Sequence, residues 1–387
     1  MLRHRLFVCC LFALLTACGG GGSSGVTDQS DTNHIVLSAN ELTMTVEKWA
    51  SNSRYPNQGY VNLKICIPQS SECQTIDHVL VDTGSYGLRL MSSALTVGLP
   101  QVTINSQPLA ECTHFVSGYT WGGIFLADIS LGSDKASSVP IQVINGNYGV
   151  IPSSCSNSGG ASINSVAALG ANGILGIGSF THDCPSCAAQ AQSGRYYTCT
   201  SGSCTSTAVP LSAQVVNPVF KLAANNNGVV IDLPAPSSSG QNTLSGKLIF
   251  GIGNTTNNTP TNQTVFALDS NGFLTTTYGA GTYSSSYIDS GSNGIFFADS
   301  TIKKCSGSSG FYCPTSSLSK NAEIVSGSAR QVIGFSIAAT SSFGVQPNLA
   351  GTGSSFAWGL PFFYGRKVFV SISGQSAFGS TTPAIAF

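Results

Sequence analysis

The sequence predicts an all-β chain folded as two β-rich lobes, and three observations carry that prediction. Short runs dense in β-branched and aromatic residues recur between clusters of Gly, Ser, Asn and Pro. Helical periodicity is scarce. One strand-to-turn pattern, Asp-(Thr/Ser)-Gly-Ser between apolar flanks, occurs twice, 207 positions apart.

Composition sets the limits. A chain of 387 residues is long enough to bury the core of two packed lobes. Only 8% of it is charged, yet 42% is hydrophobic and 20 residues are Phe, which argues for a packed core over disorder. Sixteen basic side chains balance 16 acidic ones, so nothing draws the chain to nucleic acid or to an anionic membrane surface. The 44 Gly point to many tight turns.

The N-terminus reads as an address. Arg3, His4 and Arg5 precede an apolar run from Leu6 to Leu15, too short for a permanent membrane span. The run closes on Leu15-Thr16-Ala17-Cys18, which resembles the lipobox of bacterial lipoproteins. On this reading residues 1–17 are the signal peptide, and Cys18 is the lipidated first residue of the mature chain. Residues 18–33, with the run Gly19-Gly20-Gly21-Gly22-Ser23-Ser24-Gly25, form a flexible tether. Gly19 after the cysteine, in place of an acid, points to the outer membrane of a bacterial envelope.

Of 13 cysteines, Cys9, Cys10 and Cys18 belong to this leader, leaving an even ten for an oxidising compartment. Local spacing suggests the pairs Cys66 with Cys73, Cys199 with Cys204, and Cys305 with Cys313. Cys184-Pro185-Ser186-Cys187 has neither a second CxxC nor a spaced His pair, so structural disulfides outweigh a redox dithiol or a zinc site. His34, His78, His114 and His182 are scattered among polar turns without metal-ligand spacing.

Tyr60 to Ile67, Val139 to Ile144, Gly228 to Leu233 and Lys247 to Phe250 are expected strands, and Ala188 to Ala191 and Ser300 to Lys304 each suit a helical turn. The polar run from Asn254 to Gln263 is the expected connection between larger units. The expected organisation is therefore an N-terminal lobe over 34–253, a linker at 254–263 and a C-terminal lobe over 264–387.

The repeated pattern carries the chemistry. Val79-Leu80-Val81-Asp82-Thr83-Gly84-Ser85 and Tyr287-Ile288-Asp289-Ser290-Gly291-Ser292 each run an apolar strand into an acid and a turn. Two such turns brought together deliver two carboxylates that cannot both ionise, so they share a proton. One can then act as base on a water and the other as acid toward a carbonyl. Gly84 and Gly291 permit the sharp turn and turn N–H groups toward the acids. Thr83 and Ser290 are placed to bond across the two loops, and Ser85 and Ser292 to hold the outer carboxylate oxygens.

With these motifs the chain resembles the pepsin-like aspartic proteases, which implies a cleft between the lobes and Asp82 and Asp289 as the catalytic dyad. Gly173-Ile174-Leu175-Gly176 resembles the strand that crosses the first catalytic loop, and Ala357-Trp358-Gly359-Leu360 its counterpart near the C-terminus. The chain also looks like a group of uncharacterised bacterial secreted proteins known as a domain of unknown function. The resemblance implies a hairpin flap over the dyad, placing Tyr119 and Trp121 over the substrate. Arg89 stands where the family has a supporting Trp, Leu360 where it has an Asp after the glycine, and Asn172 before Ile-Leu-Gly in place of an acid.

The activity implied is that of an aspartic endopeptidase of the cell envelope, monomeric, acting on an extended peptide or protein. No metal or organic cofactor is implied. The lipid on Cys18 would be its sole membrane attachment, and nucleic acid is not an expected partner. Tyr119, shifted from the family's flap position, and Arg89 motivate an alternative, an inactive pepsin-like lipoprotein that binds peptides or protein partners through the same cleft.

Overall fold

The computed structural model describes residues 38–49, 55–307 and 310–387, so the expected leader, Cys18 and the Gly/Ser tether lie outside the described residues. Strand β1 (Glu41–Glu47) pairs antiparallel with β2 (Gln58–Cys66), which folds back onto β3 (Cys73–Asp82). β4 (Tyr86–Met91) returns from the first Asp turn, and the short β5 (Thr103–Ile104) leads into a long hairpin, β6 (Gln107–Phe115) and β7 (Gly118–Leu131). β8 (Asp134–Ile144), β9 (Gly173–Ile177), β10 (Tyr196–Thr200) and β11 (Ser203–Ser206) complete the N-terminal lobe.

A floor joins the lobes. β12 (Gly228–Leu233) and β13 (Thr243–Phe250) connect β1 on one side to the C-terminal strands β22 (Arg366–Ser371) and β23 (Ala384–Ala386) on the other, with β14 (Val265–Ala267) at the edge. The polar 254–263 loop separates β13 from β14, so the expected linker falls within a floor sheet to which both halves contribute. The C-terminal lobe is built from β15 (Leu274–Tyr278), β16 (Gly281–Ile288), β17 (Ile295–Phe296), β18 (Leu318–Ser326), β19 (Ala329–Ile337), β20 (Ala350–Gly351) and β21 (Ala357–Trp358).

Alternation explains why the sequence around the first acid folds as a strand. Val79 and Val81 of β3 face the main core, while Leu80 faces a second cluster with Tyr60, Met91 and Ile174 on the other side. A strand covered on both faces reads as a continuous apolar run, and Val79-Leu80-Val81 is one. The same core runs on through Phe362, Phe363 and Val368, so both lobes bury side chains against one apolar interior.

The two Asp turns sit in matching frameworks. In the first, β3 runs parallel to β9, β4 returns antiparallel to β9, and β4 lies parallel to β8. In the second, β16 runs parallel to β21, β17 returns antiparallel to β21, and β17 lies parallel to β20. Each acid is therefore delivered at the end of a strand that a crossing strand clamps from one side.

Helical structure is confined to short pieces among the described residues. The turn expected at Ala188 to Ala191 lies slightly earlier, as a 3₁₀ turn at Pro185–Ala188. Ser300 to Lys304 forms no helix but begins in a turn, where Asp299 Oδ1 accepts from the Thr301 N–H and hydroxyl. All ten cysteines outside the leader are paired: Cys66–Cys73, Cys184–Cys187, Cys199–Cys204, Cys305–Cys313 and Cys112–Cys155. Spacing marked the local pairs, but Cys112–Cys155 joins a hairpin strand to a distant one-turn helix at Ser153–Ser156 and needed the fold to bring its halves together.

Candidate active site

The two Asp-containing turns meet head to head. The Thr83 N–H donates to the Ser290 hydroxyl at 3.1 Å, and the Ser290 N–H donates to the Thr83 hydroxyl at 3.0 Å. Each hydroxyl then donates onward into the opposite strand, Ser290 to the Val81 carbonyl at 2.8 Å and Thr83 to the Ile288 carbonyl at 3.3 Å. Thr83 and Ser290 are buried, so these four bonds satisfy groups that water does not reach.

Each acid has an equivalent cradle. The Gly84 N–H donates to Asp82 Oδ1 at 2.8 Å, and the Ser85 hydroxyl donates to Asp82 Oδ2. The Gly291 N–H donates to Asp289 Oδ1 at 2.8 Å, and the Ser292 hydroxyl to Asp289 Oδ2 at 2.6 Å. The glycines are needed for close approach. A Cβ on Gly84 would lie 2.8 Å from the Asp289 carboxyl, and one on Gly291 2.6 Å from Asp82 Oδ1. The carboxyls themselves are within hydrogen-bond reach of each other.

This geometry sets the protonation. Burial, followed by the charge on Asp289, pushes the Asp82 carboxyl up to about 8, against the bonds from Ser85 and Gly84 that favour its ionised form. The pair thus holds a proton in the range where isolated carboxyls have lost theirs. Two tyrosines flank it. Burial and the charges of Asp82 and Asp289 push Tyr86 up to about 12, and burial with Asp289 raises Tyr287. Tyr86 packs edge-on against Phe180 at 5.4 Å, and Phe273 lies 6.4 Å from Tyr287. These aromatics escaped the motif reading because an aromatic residue beside a turn is an ordinary core residue by pattern.

The hairpin requires a correction. Trp121 and Tyr119 were expected over the substrate, but both belong to an apolar cluster with Cys112, Cys155 and Tyr197. Trp121 is wholly buried and donates its indole N–H to the Tyr148 carbonyl at 2.7 Å, so it has no free face for a ligand. The reason is strand parity: Cys112 pairs with Trp121 and His114 with Tyr119 on one hairpin face, while Glu111 and Thr113 point to the other. That second face looks toward β4, where Arg89 bonds both Glu111 and Thr113. At the tip, Val116 is fully exposed and Phe115 lies 5.9 Å from the Arg89 guanidinium.

Metal chemistry finds no support in the one cluster with the right donors among the described residues. Cys112, His114 and Cys155 converge, but the two sulfurs are bonded to each other and offer no thiolate. A cavity of about 590 Å³, lined among others by Lys48, Lys303, Lys304, Gln346 and Leu349, has neither Asp82 nor Asp289 in its lining.

The family profile described as "Protein of unknown function (DUF3443)" matches residues 36–387. No curated protein sequence matches the chain. Among solved structures, the aspartic proteinase from Irpex lacteus is similar with a TM-score of 0.51 and 14% identity, over 89% of this chain and 96% of that one. At that identity the likeness shows the fold: a bilobal, pepsin-like, nearly all-β architecture.

Proposed function

The chain belongs to the DUF3443 family, whose function is not known, and we propose that it is an aspartic endopeptidase of the bacterial cell envelope. One observation carries the reading: two carboxyls, in equivalent cradles on turns that grip each other, within reach of a shared proton. Structural turn acids have no need of a second acid opposite them, and the mutual repulsion would select against it.

Chemistry follows from the arrangement. A water held between the two carboxyls loses its proton to Asp289 as it attacks the peptide carbonyl, and Asp82 donates its proton to the carbonyl oxygen. Collapse of the tetrahedral intermediate breaks the C–N bond: Asp289 gives its proton to the leaving amine, and Asp82 recovers one from a hydroxyl of the intermediate, which restores the pair. An extended peptide lies between the lobes, with the hairpin tip at Phe115 and Val116, instead of Tyr119 and Trp121, as the covering element. Five disulfides suit an oxidising compartment outside the cytoplasm. Lipidation at Cys18, attachment to the outer membrane and action as a monomer belong to the same proposal.

The test is cleavage of a fluorogenic peptide library from pH 3 to 8 by wild type, Asp82→Asn and Asp289→Asn. Loss on the order of 10³-fold or more in each variant is expected. Turnover that survives both substitutions sinks the proposal. The buried Tyr119 and Trp121 favour a second reading, a binding protein that has kept the fold. A folded wild type that cleaves nothing, yet gains thermal stability from a pepstatin-type inhibitor, would establish it.

A further inference from the structure

Behind the first Asp turn lies a buried cluster that the dyad chemistry does not use. Arg89, on β4, is 1% exposed and bonds four partners through its guanidinium. Nη1 donates to the Tyr86 carbonyl at 2.7 Å, and Nε to the Thr113 hydroxyl at 3.0 Å. Nη2 is shared between Glu111 Oε1 at 2.9 Å and Asp183 Oδ2 at 3.0 Å. One side chain thereby ties the loop carrying Asp82 to the hairpin strand β6 and to the segment that follows β9.

The charges do not balance as drawn. One cation faces two acids, and Glu111 is as buried as Arg89. Glu111 Oε2 is buried with no hydrogen-bond partner, and its carboxyl lies beside the Thr113 hydroxyl and the Asp183 carboxyl, both of which Arg89 also holds. The other oxygen of Asp183 is occupied by the Tyr196 hydroxyl at 2.7 Å, itself fixed by the Val215 N–H at 2.8 Å. A single proton between the two carboxyls removes both anomalies, supplying the missing donor and cancelling the surplus negative charge.

We propose that Arg89 is a positioning residue for the first Asp loop, and that its clamp is electrically neutral because Glu111 and Asp183 share one proton. The proposal rests on the reading of Asp82 and Asp289 as a working dyad only in what the clamp is for; the shared proton stands apart from it. The titratable and charged groups facing the cluster are Arg89 from β4, Glu111 from β6, Asp183 after β9 and Tyr196 from β10. The neutral Gln142 from β8 donates to the Glu111 carbonyl at 2.8 Å. Neighbouring His182 is turned away, bonded to the Thr181 hydroxyl and packed near Phe220.

Protonation agrees with the geometry. Burial and then the charge on Glu111 raise Asp183 well above the ordinary carboxyl range, whereas Arg89 and the bonds around Glu111 overcome its burial and hold it low. The pair titrates as a unit, one acid ionised and one retaining its proton. Stability contributed by a raised carboxyl is present at low pH and lost as the pH climbs through its folded value. Above that point a net negative charge is trapped under the hairpin, and the clamp on Tyr86 loosens.

The experiment uses the full chain carrying Asp82→Asn, which removes the proton shared between Asp82 and Asp289 and any self-cleavage. Melting temperature is followed from pH 5 to pH 8, alone and with Glu111→Gln or Asp183→Asn added. The parent is expected to lose about 3 °C or more across this range. An amide in either position donates permanently to the remaining carboxylate and flattens the profile. A flat profile in the parent, or an unchanged slope in both amide variants, overturns the shared proton. Positioning is read with Asp82 restored, by pepstatin-type inhibitor binding, which reports dyad geometry whether or not the chain cleaves. Arg89→Met is expected to weaken it about tenfold at pH 5, and binding unchanged by that substitution overturns the clamp. An inhibitor that binds neither wild type nor variant counts against the dyad reading, and the melting profiles still decide the shared proton.

Discussion

Arg89 and Phe296 occupy the same place in the two halves of the molecule. Each lies seven residues after its acid, on the strand that returns from the turn, and each pairs with the crossing strand, Arg89 with Ile174 and Phe296 with Ala357. Yet one is a buried cation bound to two acids, and the other is a half-buried ring packed 5.9 Å from Phe311. The scaffolding behind them differs in kind as well. The second turn rests on stacked aromatics, with Phe356 4.6 Å from Trp358 and 5.1 Å from Phe297. The first rests on a polar cluster.

The turns themselves hardly differ, and that contrast is instructive. Close approach of two acids dictates glycine, hydroxyl and N–H at fixed offsets, so those positions are repeated. What supports the turn has only to be rigid and satisfied, and an ionic cluster or an aromatic stack will do.

The comparison is broken most violently at the crossing strands. A Cβ at Gly359 would sit 2.1 Å from the Gly294 carbonyl oxygen and 2.5 Å from that of Ser292, both backbone atoms of the second turn. At Gly176 the nearest atoms are the Tyr86 nitrogen at 2.7 Å, with the Gly87 carbonyl and the Ser85 hydroxyl at 2.8 Å. Gly359→Ala is expected to cost about 3 kcal/mol or more in denaturant unfolding, and Gly176→Ala less, about 1–3 kcal/mol. Equal or negligible costs would show that the second turn can yield, and that the two frameworks are not clamped alike.

Where the halves touch, symmetry predicts equality. Thr83→Val strips the Ser290 N–H and the Ile288 carbonyl, and Ser290→Ala strips the Thr83 N–H and the Val81 carbonyl. Each leaves buried polar groups unpaired, at about 1–3 kcal/mol. Since both remove the same reciprocal grip, the double variant should cost less than the two single costs combined, by about 0.5 kcal/mol or more. Additive effects would mean that the hydroxyls serve only their own strands.

How much of this the sequence revealed follows from the same distinction. Asp82, Asp289 and their Thr, Ser and Gly neighbours were legible because the chemistry permits few residue types and repeats them. The strands were legible from apolar runs such as Val79-Leu80-Val81, and the local disulfides from spacing. Tyr119 and Trp121 misled because a hairpin's position can be read along the chain, while the face a side chain takes depends on register, which here pairs Trp121 with Cys112. Arg89 read as a bare departure from a family pattern. Its partners, Glu111 and Asp183, lie 22 and 94 residues away, and no local pattern joins them.

The finest comparison is between Ser85 and Ser292, which bond the outer oxygens of Asp82 and Asp289. The Ser85 bond favours the ionised form of Asp82, against the burial and the Asp289 charge that push it up to about 8. Because Asp82 is raised in the folded chain, the stability from its proton is present at low pH. It is lost as the pH rises from the ordinary carboxyl value of 3.8 through about 8. Cleavage that depends on that proton should show its alkaline limb near pH 8, closer to neutrality than two solvated acids would allow. Ser85→Ala removes a bond to the charged form, so the limb should move to higher pH, with kcat/KM at pH 5 reduced by no more than about tenfold. Ser292→Ala should leave that limb in place, since its bond is to the other acid. A limb displaced equally by both substitutions would mean that the proton belongs to the pair as a whole, and that the deeper burial of Asp82 does not decide which acid holds it.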